Sequence, residues 1–286
     1  MTEASKVRGL PTPLDPLPAA DDLLWRRLRH EAADAFHRAP MLAGLFVASI
    51  LEHDSLEEAA FHRISARLGN ELVPRELLAA TFRRAAAAEP EIGLGLRADI
   101  AAVLDRDPAC DRLIEPFLYF KGFHAIQTHR LAHWLWRRGE RDFALYLQSR
   151  SSDMFQTDIH PAARFGRGIF LDHATGLVVG ETAEVEDDVS LLQNVTLGGT
   201  GKDSGDRHPK VRRGVMIGAG AKILGNIEIG AFSRIAAGSV VLRPVEPHST
   251  VAGIPAKVIR ANPAGESRPP GELLGALAYE SFDYSI

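Results

Sequence analysis

The sequence has few of the features that mark secreted, membrane-spanning or cysteine-ligated proteins. Its 286 residues include a single cysteine, Cys110, so an internal disulfide is impossible and a metal site built from several cysteines is excluded. The longest strongly apolar run, 41–51, has 11 residues, whereas a membrane-spanning helix needs about 20. The N-terminal segment is broken by prolines and has no continuous apolar core, so it does not resemble a secretory signal.

An excess of basic residues is also lacking. The chain has 33 Lys and Arg against 37 Asp and Glu, a formal net charge of −4. A nucleic-acid-binding protein normally has a basic excess or a basic stripe. Hydrophobic residues (45%) and charged residues (24%) are at ordinary levels for a globular protein. We therefore expect a cytoplasmic protein that binds neither nucleic acid nor a membrane.

The first half of the chain has the pattern of packed helices. From residue 21 to 155, Ala, Leu, Arg and Glu dominate, and apolar residues recur every three or four positions. Ser55 and Glu58 have the spacing of a capping box, and Asp107 followed by Pro108 is typical of a helix N-cap with proline at the first helical position. We predict a helical N-terminal domain over residues 1–157, with residues 1–20 disordered.

The second half contains a six-residue repeat. Apolar residues stand at every sixth position, with an interruption of ten residues, 201–210. They are Ile159, Phe165, Leu171, Leu177, Ala183, Val189 and Val195, and then Val211, Ile217, Ile223, Ile229, Ile235 and Val241. Neither a helix nor an ordinary strand sustains this period, but a parallel β-helix does, with three repeats in each triangular coil. Thirteen repeats predict slightly more than four coils.

This repeat sets the expected boundaries of the rest of the chain. We predict a parallel β-helix over residues 158–261 with an inserted loop at 201–210. The loop interrupts a regular stack and is rich in charge, which favours a functional role. Residues 262–286 are rich in Pro, Gly, Ser and acidic residues and are predicted to form a mobile C-terminal tail.

Four segments inside the repeat carry a resemblance to a known family. They are residues 158–163 (DIHPAA), 171–176 (LDHATG), 195–202 (VTLGGTGK) and 206–210 (DRHPK). In this order they resemble the serine O-acetyltransferases, which are hexapeptide-repeat acyltransferases. The resemblance covers residues 23–257 and the final residue. It implies that the β-helix is left-handed and that subunits form trimers, or dimers of trimers, with active sites between them.

The resemblance also implies a reaction. The family transfers an acetyl group from acetyl-CoA to the hydroxyl of L-serine, giving O-acetyl-L-serine and CoA in cysteine biosynthesis. Acetyl-CoA is a co-substrate, and no permanently bound cofactor or metal is expected. His173 is the candidate general base, because an imidazole can accept a proton near neutral pH. The resemblance assigns the carboxylate that orients this base to Asp158. A histidine bonded within a turn, and an aspartate that caps one, are the alternatives.

Serine carries an ammonium and a carboxylate, so its pocket needs both signs of charge. The resemblance places Asp107 and Asp172 near the amino group and Arg207 and His208 near the carboxylate. An arginine can bind a carboxylate through two parallel hydrogen bonds. Asp107 can also be read as a helix cap alone.

Acetyl-CoA is expected to lie along the β-helix, where small residues let its pantetheine arm approach the backbone. The candidate positions are Gly199, Thr200, Ala219 and Ala237, with Arg234 and Lys257 for the phosphates. Exposed basic residues that only solubilise the surface are the alternative for the last two.

The family further implies two regulatory ligands. L-Cysteine, which differs from serine by one atom, is expected to inhibit from the serine pocket. The C-terminal Ile286 is expected to insert into O-acetylserine sulfhydrylase, since it offers an apolar side chain with a free carboxylate on a tether.

Three other functions remain open from the sequence. The first is a hexapeptide acetyltransferase for another small acceptor, such as a sugar. The second is a zinc-dependent β-helix hydratase that would use His160, His173 and His208. The third is a protein that acts through its tail as a regulatory partner of the sulfhydrylase.

Overall fold

The computed structural model describes residues 22–202 and 204–261. The predicted disorder of residues 1–20 and the predicted tail at 262–286, including Ile286, lie outside these residues. Among the helices that are described, none is long and apolar enough to cross a membrane.

The described chain begins with eight α-helices that pack around one apolar core. They are α1 (Leu23–Arg38), α2 (Ala43–Phe46), α3 (Leu56–Leu68), α4 (Arg75–Ala88), α5 (Glu91–Arg106), α6 (Ile114–Leu118), α7 (Lys121–Arg137) and α8 (Arg141–Phe155). A 3₁₀ turn (Pro40–Leu42) leads into α2, and a π-helical turn (Val47–Leu51) follows it. The largest fully buried side chains of this core are aromatic: Trp25, Phe61, Phe82, Phe117 and Phe155. The predicted helical region is confirmed.

One predicted helix start is right and another is wrong. The Ser55 hydroxyl accepts a hydrogen bond from the Glu58 amide at 3.2 Å and so caps α3. Asp107, by contrast, ends α5, and its carboxylate accepts from the Ala109 amide at 2.9 Å. This is a turn closed by an aspartate, and the next helix begins only at Ile114. Caps and such turns use the same residue types, which is why the pattern misled.

Fifteen strands follow, and fourteen of them wind into a parallel β-helix. They are β1 (Thr157–Ile159), β2 (Arg164–Phe165), β3 (Phe170–Leu171), β4 (Leu177–Val179), β5 (Glu184–Val185), β6 (Ser190–Leu191), β7 (Thr196–Gly198), β8 (Lys210–Val211), β9 (Met216–Ile217), β10 (Lys222–Leu224), β11 (Glu228–Ile229), β12 (Arg234–Ile235), β13 (Val240–Val241), β14 (Ser249–Gly253) and β15 (Ala256–Ala261). β15 pairs antiparallel with β14.

The strands form three sheets, one on each face of the coil. Sheet A has the order β1-β4-β7-β10-β13, sheet B has β2-β5-β8-β11, and sheet C has β3-β6-β9-β12-β14-β15. The five strands of sheet A correspond to five levels of coil, rather than slightly more than four. The predicted fold class, a helical domain followed by a hexapeptide-repeat β-helix, is confirmed.

The register of the repeat differs from the prediction after Leu171. Ile159 pairs with Val179 and not with Leu177, because the step from Leu171 to the next stacked core position is eight residues instead of six. The stacked positions are then Val179, Val185, Leu191 and Leu197. The predicted Leu177, Ala183, Val189 and Val195 are also buried, two residues earlier. Because the predicted positions and the stacked positions are both apolar, the pattern did not indicate the insertion of two residues within 172–176.

The helical domain caps the first coil through a buried ionic contact. Asp99 on α5 is fully buried and accepts hydrogen bonds from Arg130 Nη2 on α7 at 2.7 Å and from the Ile169 amide at 2.9 Å. Arg130 Nη2 also donates to the Gly166 carbonyl at 2.7 Å. Ile126 of α7 packs into the apolar core of the β-helix. These contacts fix α7 against the coil that carries residues 172–176.

Candidate active site

The two-residue insertion forms a corner between sheets C and A, and we call residues 172–176 the His173 loop. His173 and Ala174 both have left-handed backbones, with φ of 51° and 60°. This turns the His173 side chain outward, and 73% of it is exposed. Its Nε2 lies 3.8 Å from Asp172 Oδ1. An exposed imidazole beside a carboxylate is placed to exchange a proton with a bound ligand.

Two carboxylates share the space beside this histidine. Burial raises the pKa of Asp172, and the negative charge of Asp107 raises it further, whereas His173 acts in the opposite direction. A carboxyl whose pKa is raised by a neighbouring carboxylate lies in a negative potential, which attracts a cation. The structure thus brings together three predicted site residues, namely Asp107, Asp172 and His173.

Asp158 lies on β1, which pairs with β4 in sheet A. Among the described residues, its carboxylate is hydrogen-bonded to α8 and not to His173. Its Oδ1 accepts a hydrogen bond from Gln148 Nε2 of α8 at 2.6 Å. In the chain as described, the His173 ring makes no hydrogen bond to Asp158. The predicted pairing of these two residues stays a prediction.

A second group of predicted residues lies where sheet A ends and sheet B begins. Arg207 Nη2 pairs with Glu181 Oε2 at 2.9 Å. Nδ1 of His208 accepts from the Thr182 amide at 3.2 Å and contacts the Thr182 hydroxyl at 2.8 Å. Burial lowers the pKa of His208, and the Arg207 charge lowers it further. With Nδ1 accepting, the neutral ring carries its proton on Nε2 and offers it as a donor.

Glu181 and Thr182 are site residues that the sequence reasoning missed. Both follow β4, and each meets a residue that is about 26 positions away in the inserted loop. The stacking of coils creates these contacts, so no local motif could have indicated them.

The three histidines of the zinc alternative are not gathered into one site. His160 lies edge-on to Trp136, with ring centroids 5.1 Å apart, and its Nδ1 accepts from the Ala162 amide at 3.1 Å. His173 stands at the opposite edge of sheet A from His208. Across residues 22–202 and 204–261, no group of three or more His, Cys, Asp or Glu side chains could hold a metal ion.

The two groups of site residues are separated by the width of sheet A. The His173 loop precedes strand β4, whereas Glu181 follows it, and Arg207 and His208 lie on that second edge. Strands of three residues span about 10 Å. Within a single chain, the acidic group (Asp107 and Asp172) and the Arg207 group (Arg207, His208 and Glu181) therefore lie at opposite edges of sheet A.

The expected acetyl-CoA positions are divided in the same way. Ala219 and Ala237 occupy successive coils of the corner that carries the His173 loop, and the Gly238 amide donates to the Ala219 carbonyl at 2.8 Å. Lower in this corner the Asn194 amide donates to the Thr175 carbonyl at 2.7 Å. Ala219 and Ala237 therefore lie two and three coils above the His173 loop, and Gln193 and Asn194 occupy the corner between them and the loop.

The other positions lie elsewhere. Gly199 and Thr200 follow β7 at the Arg207 edge, and a Cβ on Gly199 would lie 3.4 Å from Arg207 Cγ. Arg234 is half-buried on β12, and Lys257 is exposed on β15.

Comparison with known proteins identifies the family. A model of the N-terminal domain of serine acetyltransferase matches residues 24–128, and a bacterial transferase hexapeptide model of six repeats matches 208–243. The serine acetyltransferase of Salmonella typhimurium is 53% identical over 238 residues, which cover 83% of this chain and 87% of that protein. The chain belongs to the serine acetyltransferase family. The resemblance carried by the four motifs is confirmed, and the chain is an enzyme of the acyltransferase class.

Solved serine acetyltransferases have the same fold. The enzyme from Brucella abortus strain S19, in complex with coenzyme A, is 62% identical, with a TM-score of 0.83 over 84% of this chain and 96% of that one. A serine acetyltransferase in complex with cysteine is 49% identical, with a TM-score of 0.84 over 87% of this chain and 96% of that one.

Proposed function

We propose that this enzyme transfers the acetyl group of acetyl-CoA to the hydroxyl of L-serine, giving O-acetyl-L-serine and CoA. The observation that carries this proposal is the grouping of Asp107 and Asp172 beside the exposed His173. The two carboxylates bind the serine ammonium, and this places the hydroxyl beside the imidazole. His173 takes the hydroxyl proton as the oxygen attacks the thioester carbonyl.

The rest of the reaction follows from that attack. The carbon–sulfur bond of the thioester breaks, and the CoA sulfur leaves with the proton that His173 received. Asp158 orients the imidazole in this scheme. Its Oδ1 is held by Gln148, which leaves Oδ2 for the imidazole N–H. Such a carboxylate stabilises the protonated ring without itself taking the proton.

Arg207 and His208 are proposed to bind the serine carboxylate. Arg207 already holds a carboxylate, that of Glu181, at 2.9 Å, so the serine carboxylate would compete for the same guanidinium. His208 adds a hydrogen bond from Nε2, since its Nδ1 is occupied by Thr182.

The separation of these groups supports a trimer. The acidic group at one edge of sheet A and the Arg207 group at the other can meet around one serine only when the edges belong to neighbouring subunits. Cyclic symmetry repeats this contact and gives three equivalent sites. We propose a homotrimer, or a dimer of trimers.

Acetyl-CoA is proposed to lie along the corner of the β-helix that carries Ala219 and Ala237, with its thioester at the His173 loop. Two related structures are complexes with coenzyme A. Gly199 and Thr200, at the Arg207 edge of a neighbouring subunit, would line the other side of the acetyl-CoA site. Arg234 and Lys257 would lie towards the phosphates.

We further propose L-cysteine as an inhibitor that competes with serine, since a relative has been solved with cysteine and the two amino acids differ by one atom. O-Acetylserine sulfhydrylase is the proposed partner of Ile286. The cytoplasm is the proposed location, which the single cysteine supports.

Thiol release from acetyl-CoA tests the proposal, with L-serine, L-homoserine, galactose and water as acceptors. Release that depends on serine and is lost in His173→Ala is the expected result. Release with galactose would instead support the sugar alternative and overturn the assignment of the charged pocket. No release with any acceptor would contradict catalysis and favour a regulatory role of the tail.

A further inference from the structure

The backbone of the His173 loop needs support from outside the loop. His173 and Ala174 are consecutive non-glycine residues in the left-handed region, which side chains disfavour. Such conformations persist where surrounding contacts determine them. Within the loop, the Thr175 amide donates to the His173 carbonyl at 2.8 Å, so the position of Thr175 is linked to that of His173.

The first turn of α7 supplies a contact to this loop. The Lys121 ammonium donates to the Thr175 hydroxyl and to Gln156 Oε1, the latter at 3.1 Å. The backbone carbonyl of Gln156 in turn accepts a hydrogen bond from the Gly176 amide at 2.8 Å. Lys121 therefore joins the start of α7, the end of α8 and the loop.

The next residue of α7 holds the other end of the loop. Gly122 is buried, and a Cβ at this position would overlap the carbonyl oxygen of Leu171, the residue before Asp172. The helix backbone thus lies directly against the strand that leads into the loop. Consecutive residues of one helix contact both ends of the His173 loop.

The charge of Lys121 is directed to these contacts. Among the residues that the structure describes, no carboxylate pairs with its ammonium. Hydrogen bonds from a charged donor are stronger than neutral ones, and their partners are fixed more tightly. The ammonium therefore serves to hold the loop and not to neutralise an acid.

We propose that Lys121 is a positioning residue that acts through Thr175 to hold His173 where it can reach the acceptor hydroxyl. This inference rests on the proposed function, since it concerns the geometry of the same base. It predicts that loss of Lys121 slows the chemical step and leaves the binding of acetyl-CoA unchanged.

Steady-state kinetics of the full-length enzyme tests this, with variants at both ends of the contact. Lys121→Met and Thr175→Val are each expected to lower kcat by ~10- to 100-fold, because a small displacement of a catalytic group has effects of this size. The KM for acetyl-CoA and the thermal midpoint of unfolding should stay near those of the wild type. The double variant should be no slower than the slower single variant, because both changes break one link.

Thr175→Ser is the matched control, because it keeps the hydroxyl and should keep a kcat within about twofold of the wild type. Arg84→Met is a second control. It removes an exposed cation of α4, away from the His173 loop, and should leave kcat unchanged. Unchanged kcat in Lys121→Met and Thr175→Val would overturn the positioning role. So would losses that come with an equally large fall in thermal stability or a raised KM for acetyl-CoA.

Failure of the proposed function has a different signature. In that case the wild type itself does not acetylate serine. If it then releases thiol with another acceptor, the same comparison of kcat with that acceptor decides the role of Lys121.

Discussion

The imidazole of His208 lies against the backbone of Gly180, so closely that a Cβ on Gly180 would overlap the ring. Gly180 follows β4, and His208 comes from the inserted loop one coil above. Because the same ring is held by Thr182, its position depends on the absence of a side chain at residue 180.

Gly180→Ala is expected to displace His208 and weaken serine binding. A displaced His208 loses its proposed hydrogen bond to the serine carboxylate, which contributes ~1.5–3 kcal/mol, so the KM for serine should rise by about tenfold or more. The KM for acetyl-CoA should change much less. Gly44→Ala is the matched control, since nothing lies within 4 Å of a Cβ at that position in α2. Equal serine KM values in the two variants would contradict this role for Gly180.

The β-helix could be predicted from the sequence because each coil is built from local six-residue units. Apolar residues at every sixth position report the core directly, as at Val211 and Ile217. The insertion at 172–176 could not be predicted because Leu177, two residues before the stacked Val179 on the same strand, is as apolar and as buried as Val179 itself. A period alone cannot distinguish two apolar series that are offset by two residues.

The site was predictable where a short motif carries it and not where stacking creates it. Asp172 and His173 are adjacent in the sequence. Glu181 meets Arg207 only because the coils stack, and Lys121 meets Thr175 only because α7 docks on the first coil. Contacts between residues far apart in the sequence need the tertiary structure.

Asp99 is expected to be the main ionic contact between the helical domain and the β-helix. Removal of one partner of a buried ion pair leaves the other charge unpaired and costs ~3–5 kcal/mol. Asp99→Ala should therefore lower the thermal midpoint strongly, since it leaves Arg130 without its carboxylate partner and the Ile169 amide without its acceptor. Asp34→Ala removes an exposed carboxylate that pairs at 3.9 Å with Arg38, and should shift the midpoint little. Similar midpoints for both variants would refute the prediction.

Asp172 is expected to bind substrate at the expense of stability. Burial raises the pKa of this carboxyl, and Asp107 adds to the rise. A carboxyl whose pKa is higher in the folded than in the unfolded state destabilises the fold when ionised. This destabilisation is absent below the unfolded value near 3.8 and fully present above the folded value.

Asp172→Asn should therefore raise the thermal midpoint at pH 8, with a gain that shrinks as the pH approaches about 4. The same variant should bind serine ~10- to 100-fold more weakly, because a hydrogen bond to a charged group contributes ~1.5–3 kcal/mol. Asp153→Asn, at an exposed position of α8, is the control and should change neither quantity. A midpoint gain that does not depend on pH would argue against this origin.

Deletion of Ile286 is expected to separate the two proposed activities. The truncated enzyme should acetylate serine at the wild-type rate, because the deletion leaves Asp107, Asp172 and His173 unchanged. Its binding to O-acetylserine sulfhydrylase, measured by calorimetry, should be lost, since the terminal carboxylate moves to Ser285 and the apolar side chain is gone. Replacement of Ile286 by Val keeps a β-branched terminus and should retain part of the affinity. Equal binding by the deletion variant would exclude this partner site.

A mixture of two inactive variants is expected to regain activity if the site lies between subunits. His173→Ala removes the base from one edge of sheet A, and Arg207→Ala removes the carboxylate ligand from the other edge. When the two chains are unfolded and refolded together in equal amounts, about a quarter of the interfaces in a cyclic trimer should combine an intact His173 with an intact Arg207. Thiol release should then recover to about a quarter of the wild-type rate, whereas each variant refolded alone stays inactive. If both groups act within one chain, no subunit in the mixture has a complete site, and the activity of the mixture should stay at the level of the separate variants.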